Sequence, residues 1–501
     1  MDDVRVEQGL IAGAETEGIY QFLGLPYASP PVGERRWRPP APPECWDGVR
    51  DATKFGNAAI QTAYTGFDCG AEQSEDCLYL NVWTPTLDSA TKQPVMVWIH
   101  GGGFLNGAAS MGIWTGEELS RQGVTVVSLN YRLGAFGFLA HPEVGANFGV
   151  LDWVAALTWV SKNIGAFGGD PNNVTVFGQS AGGAAVRALL STPSATGLFH
   201  RAIIQSAGFE DYAVVSSPSY ERSAEATLAL FDRLGSRDID ELRQAPTEQV
   251  REASYALAGT FPPPGQVHTP ANLTWYPVQD NDVMTGDDFA GAPSDVPVML
   301  GCTQHEARFF VQPTLLYSHP EVDPAATYTH ETLGHMAKAL GGNRADAIVG
   351  YFADSGLTPY EAIAELITVA VWHEPALATV RAFAGQGRTT FYYRFARVSP
   401  GGLQSGLLAK HSAEIPYLFG KLMPPQAYEN VDAEVSHAVQ HAWVEFARTG
   451  VPRNTDGTPW PQYAAGEPRF TVIGDTAQSL PLEVPDVTEM IRSQRKELER
   501  A

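Results

Sequence analysis

The stretch that decides the fold is Val174-Thr-Val-Phe-Gly-Gln-Ser-Ala-Gly182, in which an apolar run ends in a serine flanked by small residues. The apolar residues predict a buried strand, and the small residues suit a sharp turn from that strand into a helix. A serine on such a turn has a strained backbone and an exposed hydroxyl, and the flanking glycines let neighbouring backbone pass closely. The pattern therefore predicts that Ser180 is an activated nucleophile.

A second glycine motif lies about eighty residues earlier. The buried-strand pattern Val95–Ile99 is followed by His100-Gly-Gly-Gly-Phe104, which exposes several backbone N–H groups. A run of glycines is usually a surface turn. This run follows a buried strand and precedes the serine motif, and that chain order favours an oxyanion hole. The predicted donors are the N–H groups of Gly102, Gly103 and Ala181.

Five further segments share a family pattern with these two motifs. They are Phe22-Leu-Gly-Leu-Pro-Tyr-Ala28, Pro30-Pro-Val-Gly33, Ser74-Glu-Asp-Cys-Leu-Tyr-Leu-Asn81, Asn130-Tyr-Arg-Leu-Gly134 and Phe167-Gly-Gly-Asp-Pro171. Over nearly its whole length the chain resembles the type B carboxylesterases, the cholinesterase-like branch of the α/β-hydrolase fold, and their bacterial para-nitrobenzyl-esterase-like members. The resemblance implies an α/β fold with a large mixed, mostly parallel sheet flanked by helices, and a helical cap over the site. It also implies a serine hydrolase that cleaves carboxylic esters without a metal or organic cofactor.

A serine hydroxyl is a weak nucleophile and needs a histidine base oriented by a carboxylate. In the fold that the chain resembles, the chain order is serine, acid, histidine. Glu306 follows the strand-like run Val296–Gly301 and is the predicted acid. His411 is the predicted base, because the segment from His411 to Gly420 is similar to the family segment that carries the catalytic histidine.

The resemblance also concerns residues around the predicted triad. It implicates Ser206 as a hydroxyl near the histidine and the acid, and it implies a structural ion pair between Arg36 and Glu75. The family usually has Glu before the nucleophile, where this chain has Gln179. We therefore expect a lower preference for cationic alcohols such as choline, because a buried carboxylate is a strong attractor in a low-dielectric site.

Two histidines later in the chain could suggest a metal site. His437 and His441 are spaced i, i+4 in a helical pattern, which could place two ligands on one face. No Glu lies between them in a metalloprotease pattern and no third ligand is suggested. The prediction is a packed or solvated helix face, with no metal.

The four cysteines leave the disulfide pairing open. In the family the cysteine at Cys77 often pairs with an upstream one, and that position here is Ala59. Cys69 could substitute, and Cys45 and Cys302 offer further pairings.

The motifs are dispersed between residues 100 and 411, which predicts one domain over residues 1–501 rather than several. Within it, residues 310–400 approximately are expected to form a helical cap or regulatory subdomain. Pro262-Pro-Pro-Gly265 is predicted to be an exposed loop bordering the entrance. The helical patterns after the nucleophile are Tyr220–Leu234, Glu331–Leu340, Ala345–Phe352, Tyr360–Trp372 and Ala433–Arg448.

The formal net charge of −23 makes nucleic-acid binding improbable. No apolar stretch of transmembrane length and no signal peptide pattern is evident, so the sequence predicts a protein without membrane attachment in the cytoplasm. Secretion stays open if a leader has been removed. The expected partner is a small-molecule ester, and the expected state is a monomer or small homo-oligomer.

Two rival functions are compatible with parts of this pattern. The same triad could hydrolyse carbamates or aryl amides, since the choice of bond depends on placement that sequence does not give. A more distant alternative is a non-catalytic binding or adhesion module, which some members of the superfamily have become. The presence of Ser180, Glu306 and His411 together favours the enzyme.

Overall fold

The structure is a computed structural model that describes residues 3–62, 69–207, 219–259, 273–285, 294–311, 327–423 and 427–500. The predicted loop Pro262–Gly265 lies outside the described residues.

The strands are numbered in chain order. They are β1 (Val4–Val6), β2 (Gly9–Ala12), β3 (Ala14–Thr16), β4 (Ile19–Pro26), β5 (Val49–Asp51), β6 (Ala58–Ala59), β7 (Gln73–Ser74), β8 (Tyr79–Thr84), β9 (Gln93–Ile99), β10 (Thr125–Leu129), β11 (Gly169–Gln179), β12 (Arg201–Gln205), β13 (Val298–Thr303), β14 (Thr390–Phe395), β15 (Arg469–Ile473) and β16 (Ala477–Pro481).

The main sheet has 11 strands in the order β16-β15-β14-β13-β12-β11-β9-β10-β8-β4-β3. The strands from β15 to β10 in this order run parallel, and antiparallel strands complete both edges. Two small sheets, β1-β2-β5 and β6-β7, lie beside it. The predicted large, mixed and mostly parallel sheet is confirmed.

Both faces of the sheet are buried, as a parallel sheet requires. Along strand β9, successive side chains alternate between the two faces. Val97 and Ile99 belong to one hydrophobic core, and Met96 and Trp98 belong to the other. All four residues are at most 1% exposed. Helices cover both faces of the sheet. The parallel strands have their carboxyl ends at one edge, and the proposed site residues lie in the segments that come after these strand ends.

The helices confirm the predicted helical segments to within three residues at each end, with one exception. The α-helices are Glu117–Ser120, Gly134–Phe138, Phe148–Asn163, Ala181–Leu190, Tyr220–Leu234, Ile239–Arg243, Thr247–Ala256, Arg308–Val311, His330–Gly341, Ala345–Asp354, Pro359–Thr368, Glu374–Gly385, Pro400–Gln404, Ile415–Leu418, Asn430–Thr449 and Asp486–Leu498.

The exception is the segment predicted as Tyr360–Trp372, which is part of a longer helical run, Pro359–Gly385. A π-helical turn at Val369–His373 joins two α-helices, and this irregular turn accommodates Pro375, which lacks a backbone N–H. By length and composition the run could cross a membrane, contrary to the sequence expectation, but 94% of its most apolar window is buried inside the protein. That burial is typical of a core helix.

The helices between residues 330 and 385 share a hydrophobic core with one face of the main sheet. The C-terminal helix Asp486–Leu498 is attached to them by a buried ion pair, in which Arg495 Nη2 lies 3.0 Å from Glu374 Oε1. The division of the chain into a domain and a cap stays a prediction.

Candidate active site

Ser180 stands at the turn between strand β11 and the helix Ala181–Leu190. Its backbone has φ 56° and ψ −132°, a strained conformation for a residue with a side chain. The Ser180 N–H donates to Gln205 O of the neighbouring strand β12 at 2.9 Å, and Ser180 O accepts from Ala184 N at 3.0 Å. The predicted strand-to-helix turn is therefore present, and the packed strand and helix on either side hold its strained backbone.

The glycines around Ser180 are required by close backbone packing. A Cβ at Gly182 would lie 2.0 Å from Ile99 O of strand β9, and a Cβ at Gly178 would lie 2.3 Å from Gly182 O. Both neighbours are backbone atoms that cannot swing aside. The helix therefore approaches the sheet more closely than any residue with a side chain at position 182 would permit.

The glycine loop after strand β9 lies against this turn. A Cβ at Gly101 would come within 2.6 Å of Gln179 O and 3.1 Å of Ser180 Cβ, so the two motifs are in contact. Gly102 has φ 117° and Gly103 has φ 64°, values that favour glycine. Within the described part of the chain, no group accepts a hydrogen bond from the N–H of either residue.

The third predicted donor is the N–H of Ala181, the first residue of its helix. The N–H groups of the first helical turn have no acceptor within the helix and carry the positive end of the helix dipole. Free N–H groups therefore lie on both sides of Ser180, which is the arrangement that an anion at this position requires.

Glu306 and His411 meet at the carboxyl edge of the sheet although 105 positions separate them in the chain. His411 Nδ1 lies 2.6 Å from Glu306 Oε2, and the side chains are 4% and 0% exposed. The other carboxylate oxygen of Glu306 accepts from Thr303 N at 2.7 Å, and His411 N donates to Glu306 O at 3.3 Å. These bonds fix the carboxylate and the ring relative to each other.

Because Glu306 accepts from His411 Nδ1, the other ring nitrogen of His411 is left as an acceptor. That atom, Nε2, lies 3.1 Å from Gln179 Nε2, so the Gln179 amide donates to it. Gln179 is adjacent to Ser180 in the chain and is 4% exposed. The contact therefore places the His411 ring beside the serine turn. Sequence reasoning singled out Gln179 for its missing charge and missed its contact with the histidine.

Aromatic rings surround the remaining faces of His411. The ring centroids of Phe310, Trp372 and Phe309 lie 5.1, 5.7 and 6.0 Å from that of His411. Trp372 Nε1 also donates to Ser206 O at 3.0 Å. The Ser206 hydroxyl is buried and has no hydrogen-bond partner among the described residues. Its link to the site is thus through the main chain and Trp372.

Two further titratable residues beside His411 were not assigned by sequence reasoning. Glu414 is 1% exposed and accepts from Gln205 Nε2 at 3.2 Å; burial, followed by the nearby Glu306 charge, raises its pKa to about 8. Lys410 directly precedes His411, and burial lowers the pKa of its ammonium to about 8. The segment from His411 to Gly420 pointed to this region, but a loop sequence does not reveal burial.

Comparison with known proteins assigns the family. The model of the carboxylesterase family matches residues 2–496. The chain belongs to the carboxylesterase family. Like the matched relatives, this carboxylesterase has the α/β-hydrolase fold and is a carboxylic ester hydrolase.

Three relatives illustrate the similarity. The chain is 35% identical to the para-nitrobenzyl esterase of Bacillus subtilis over 500 residues, 94% of each protein. It is 35% identical to the phenmedipham hydrolase of Pseudarthrobacter oxydans over 483 residues, 93% of this chain and 94% of the relative. The crystal structure of a Geobacillus stearothermophilus carboxylesterase superposes with a TM-score of 0.83 at 32% identity, covering 98% of this chain and 99% of that one.

Two predicted residue pairs of this carboxylesterase lie outside the proposed triad. The Arg36–Glu75 ion pair is present and bidentate, with Nε–Oε2 and Nη2–Oε1 distances of 2.8 and 2.5 Å. His437 and His441 stack at 6.4 Å between ring centroids on the helix Asn430–Thr449. The described residues contain no group of three or more His, Cys, Asp or Glu side chains that could hold a metal.

The four cysteines form no disulfide in the structure. All four cysteines, Cys45, Cys69, Cys77 and Cys302, are free. Cys77 and Cys302 are buried in the hydrophobic core, where they pack as small apolar side chains.

Proposed function

We propose that Ser180, Glu306 and His411 are the catalytic triad of this esterase. The observation that carries the proposal is the buried 2.6 Å contact between His411 Nδ1 and Glu306 Oε2, beside a serine in a strained turn. A carboxylate at Nδ1 orients the imidazole and stabilises the imidazolium that forms when Nε2 takes a proton. These are the requirements of an activated serine nucleophile.

The reaction consists of two acyl transfers. Ser180 Oγ attacks the ester carbonyl carbon as its proton passes to His411 Nε2, forming a tetrahedral intermediate. When the intermediate collapses, the carbon–oxygen bond to the alcohol breaks and His411 returns the proton to the departing oxygen. Water then attacks the acyl-enzyme by the same steps and releases the carboxylic acid.

The oxyanion of each intermediate is held by backbone donors. We assign this role to the N–H groups of Gly102, Gly103 and Ala181, supported by the contact between the glycine loop and the serine turn. One such donor contributes about 3 kcal/mol to transition-state stabilisation. This electrostatic role requires no metal or organic cofactor.

Gln179 has a place in this sequence of steps. Its amide N–H donates to the nitrogen that must take the serine proton. An imidazolium Nε2–H cannot accept from that amide, so the Gln179 side chain rotates or turns its oxygen toward the ring when His411 becomes protonated.

Hydrolysis of carbamates or aryl amides is the second candidate. The same residues would attack either carbonyl, and the 35% identity to a phenmedipham hydrolase supports testing substrates other than simple esters. The proposed substrate is in both cases a small molecule. A cytoplasmic location, the absence of nucleic-acid and membrane partners, and a monomeric or small homo-oligomeric state stay predictions.

The decisive experiment is stopped-flow hydrolysis of p-nitrophenyl esters from acetate to laurate, with the matching anilide and carbamate and with phenmedipham. We expect a p-nitrophenol burst equal to the enzyme concentration, followed by slower turnover. Ser180→Ala should lose this burst and nearly all turnover, because the covalent pathway is removed. Ser236→Ala is the matched control and should retain both; Ser236 is half-buried between the helices Tyr220–Leu234 and Ile239–Arg243, where its hydroxyl donates to Glu241.

Each alternative outcome has a definite meaning. Faster turnover of the carbamate or anilide than of any ester would assign the enzyme to the second candidate. A burst that survives in Ser180→Ala would refute the nucleophile assignment. No turnover of any substrate by the wild-type protein would make a binding function the leading explanation.

A further inference from the structure

Lys410 is a basic residue that contacts Phe309, one of the aromatic residues around the proposed base His411. Its Nζ lies 4.6 Å from the ring centroid of Phe309, whose ring lies 6.0 Å from that of His411. Phe309 and Lys410 both stay partly exposed, whereas His411 is 3% exposed. Because both residues are partly exposed, a substrate group can approach this pair from solvent.

The ammonium of Lys410 has no carboxylate within ion-pair distance in the described part of the chain. Glu306 is engaged by His411 and Thr303. Glu414 lies near enough to raise the pKa of Lys410, but burial and the Glu306 charge raise the pKa of Glu414 itself to about 8. The contact with Phe309 is a cation–π interaction, which partly compensates for the missing counter-ion.

A partly desolvated ammonium without a counter-ion is costly, and an anion placed beside it recovers part of that cost. Burial lowers the pKa of the Lys410 ammonium to about 8, and the nearby Glu414 opposes this shift. Gln179, which contacts His411 Nε2, is neutral and supplies no competing negative charge. The environment of the proposed base thus favours a negative group at Lys410, although the whole chain carries a formal net charge of −23.

We propose that Lys410 binds a carboxylate carried by the ester substrate, and that this esterase therefore prefers anionic esters to their neutral isosteres. The inference rests on the proposed function, since it places the carboxylate beside the base that acts on the ester bond. The carboxylate can belong to the acyl portion or to the alcohol portion. Occupation of the Phe309 ring face by Lys410 also disfavours a cationic group at this position.

The test compares kcat/KM for two matched ester pairs. The acyl pair is mono-(4-nitrophenyl) adipate and its methyl ester, and the alcohol pair is 4-acetoxybenzoate and methyl 4-acetoxybenzoate. For at least one pair, Lys410→Met should lower the anionic-to-neutral ratio of kcat/KM about tenfold relative to wild type, mainly through KM. The pair that responds identifies the portion of the substrate that Lys410 contacts.

Three further variants separate charge from packing. Lys410→Gln should lower the ratio like Lys410→Met, and Lys410→Arg should retain most of it, because Arg keeps the positive charge. Lys162→Met makes the same change in net charge on the helix Phe148–Asn163, where Lys162 pairs with Glu7, and should leave the ratio as in wild type. Burst amplitudes give the active concentration of every variant, so incomplete folding does not distort the ratio.

The inference is overturned if the ratio in Lys410→Met and Lys410→Gln equals that of wild type for both pairs, or if Lys162→Met lowers it equally. It is distinct from a failure of the proposed function. If the proposed function fails, the wild-type protein hydrolyses neither the anionic nor the neutral esters. If only the Lys410 inference fails, the wild-type protein still hydrolyses both.

Discussion

Gln179 determines the charge directly before the proposed nucleophile. Its amide lies 3.1 Å from His411 Nε2 in a buried environment, where charges interact more strongly than in water. The type B carboxylesterases that the chain resembles usually have Glu here. A neutral amide fills nearly the same volume and can donate to the neutral base, but it provides no attraction for a cationic alcohol.

Gln179→Glu should therefore raise the rate of cationic esters relative to neutral ones. We expect the ratio of kcat/KM for acetylcholine to that for 3,3-dimethylbutyl acetate to rise about tenfold, which corresponds to about 1.4 kcal/mol. Gln478→Glu, at an exposed position, makes the same charge change and should leave the ratio near that of wild type. If Gln179→Glu leaves the ratio unchanged, the charge at this position does not set alcohol preference.

At the scale of elements, the serine turn depends on how closely the helix Ala181–Leu190 approaches strand β9. Gly182 is the contact point, since a Cβ there would lie 2.0 Å from Ile99 O. Adding one methyl group would push the helix away from the sheet, and Ser180 together with the Ala181 N–H would move with it. A displacement of this kind at a reacting centre lowers the rate strongly even when the protein folds.

Gly182→Ala should destabilise the protein by about 1–3 kcal/mol through overpacking and lower the esterase rate at least a hundredfold. Urea unfolding followed by tryptophan fluorescence measures the first effect, and burst kinetics measure the second. Gly165→Ala is the matched control, because its added Cβ meets no atom within 4 Å. A Gly182→Ala protein with wild-type stability and burst rate would show that the close approach is not needed.

At the scale of the whole molecule, four distant segments contribute to one edge of the sheet, and two carboxyl groups, Glu306 and Glu414, meet there. Glu414 illustrates the consequence, because burial and the Glu306 charge raise its pKa to about 8. Between the ordinary glutamate pKa and pH 8, the folded protein keeps a proton on Glu414 that the unfolded chain releases. The folded state binds more protons in this window, so the free energy of unfolding falls as the pH rises through it.

Glu414→Gln should remove this contribution while keeping an oxygen for Gln205 Nε2. The free energy of unfolding of the variant relative to wild type should increase from pH 5 to pH 8, by at most about 1.4 kcal/mol per pH unit. Urea unfolding at several pH values gives this difference directly. Glu15→Gln, at an exposed position of edge strand β3, controls for the change in net charge. A difference for Glu414→Gln that does not change with pH would show that this carboxyl does not hold its proton in the folded state.

The sequence by itself determined the local backbone geometry at the site and the order of the proposed catalytic residues along the chain. The strand-to-helix turn at Ser180 and the glycine loop at residues 101–103 are set by short-range sterics, which a few small residues after an apolar run reveal. Chain order and the family resemblance then identified Glu306 and His411, and the structure brings these two into contact. Their catalytic roles stay proposals.

Only the tertiary structure decided which side chains surround the base and how far each is buried. The contact of Gln179 with His411, the position of Lys410 over Phe309 and the raised pKa of Glu414 all depend on groups from different elements. The long buried helical run through Pro375 likewise required its packed surroundings to be recognised as a core element. Such features depend on how strands and helices pack in three dimensions and on the dielectric environment that packing creates, and neither is encoded in a local pattern of residues.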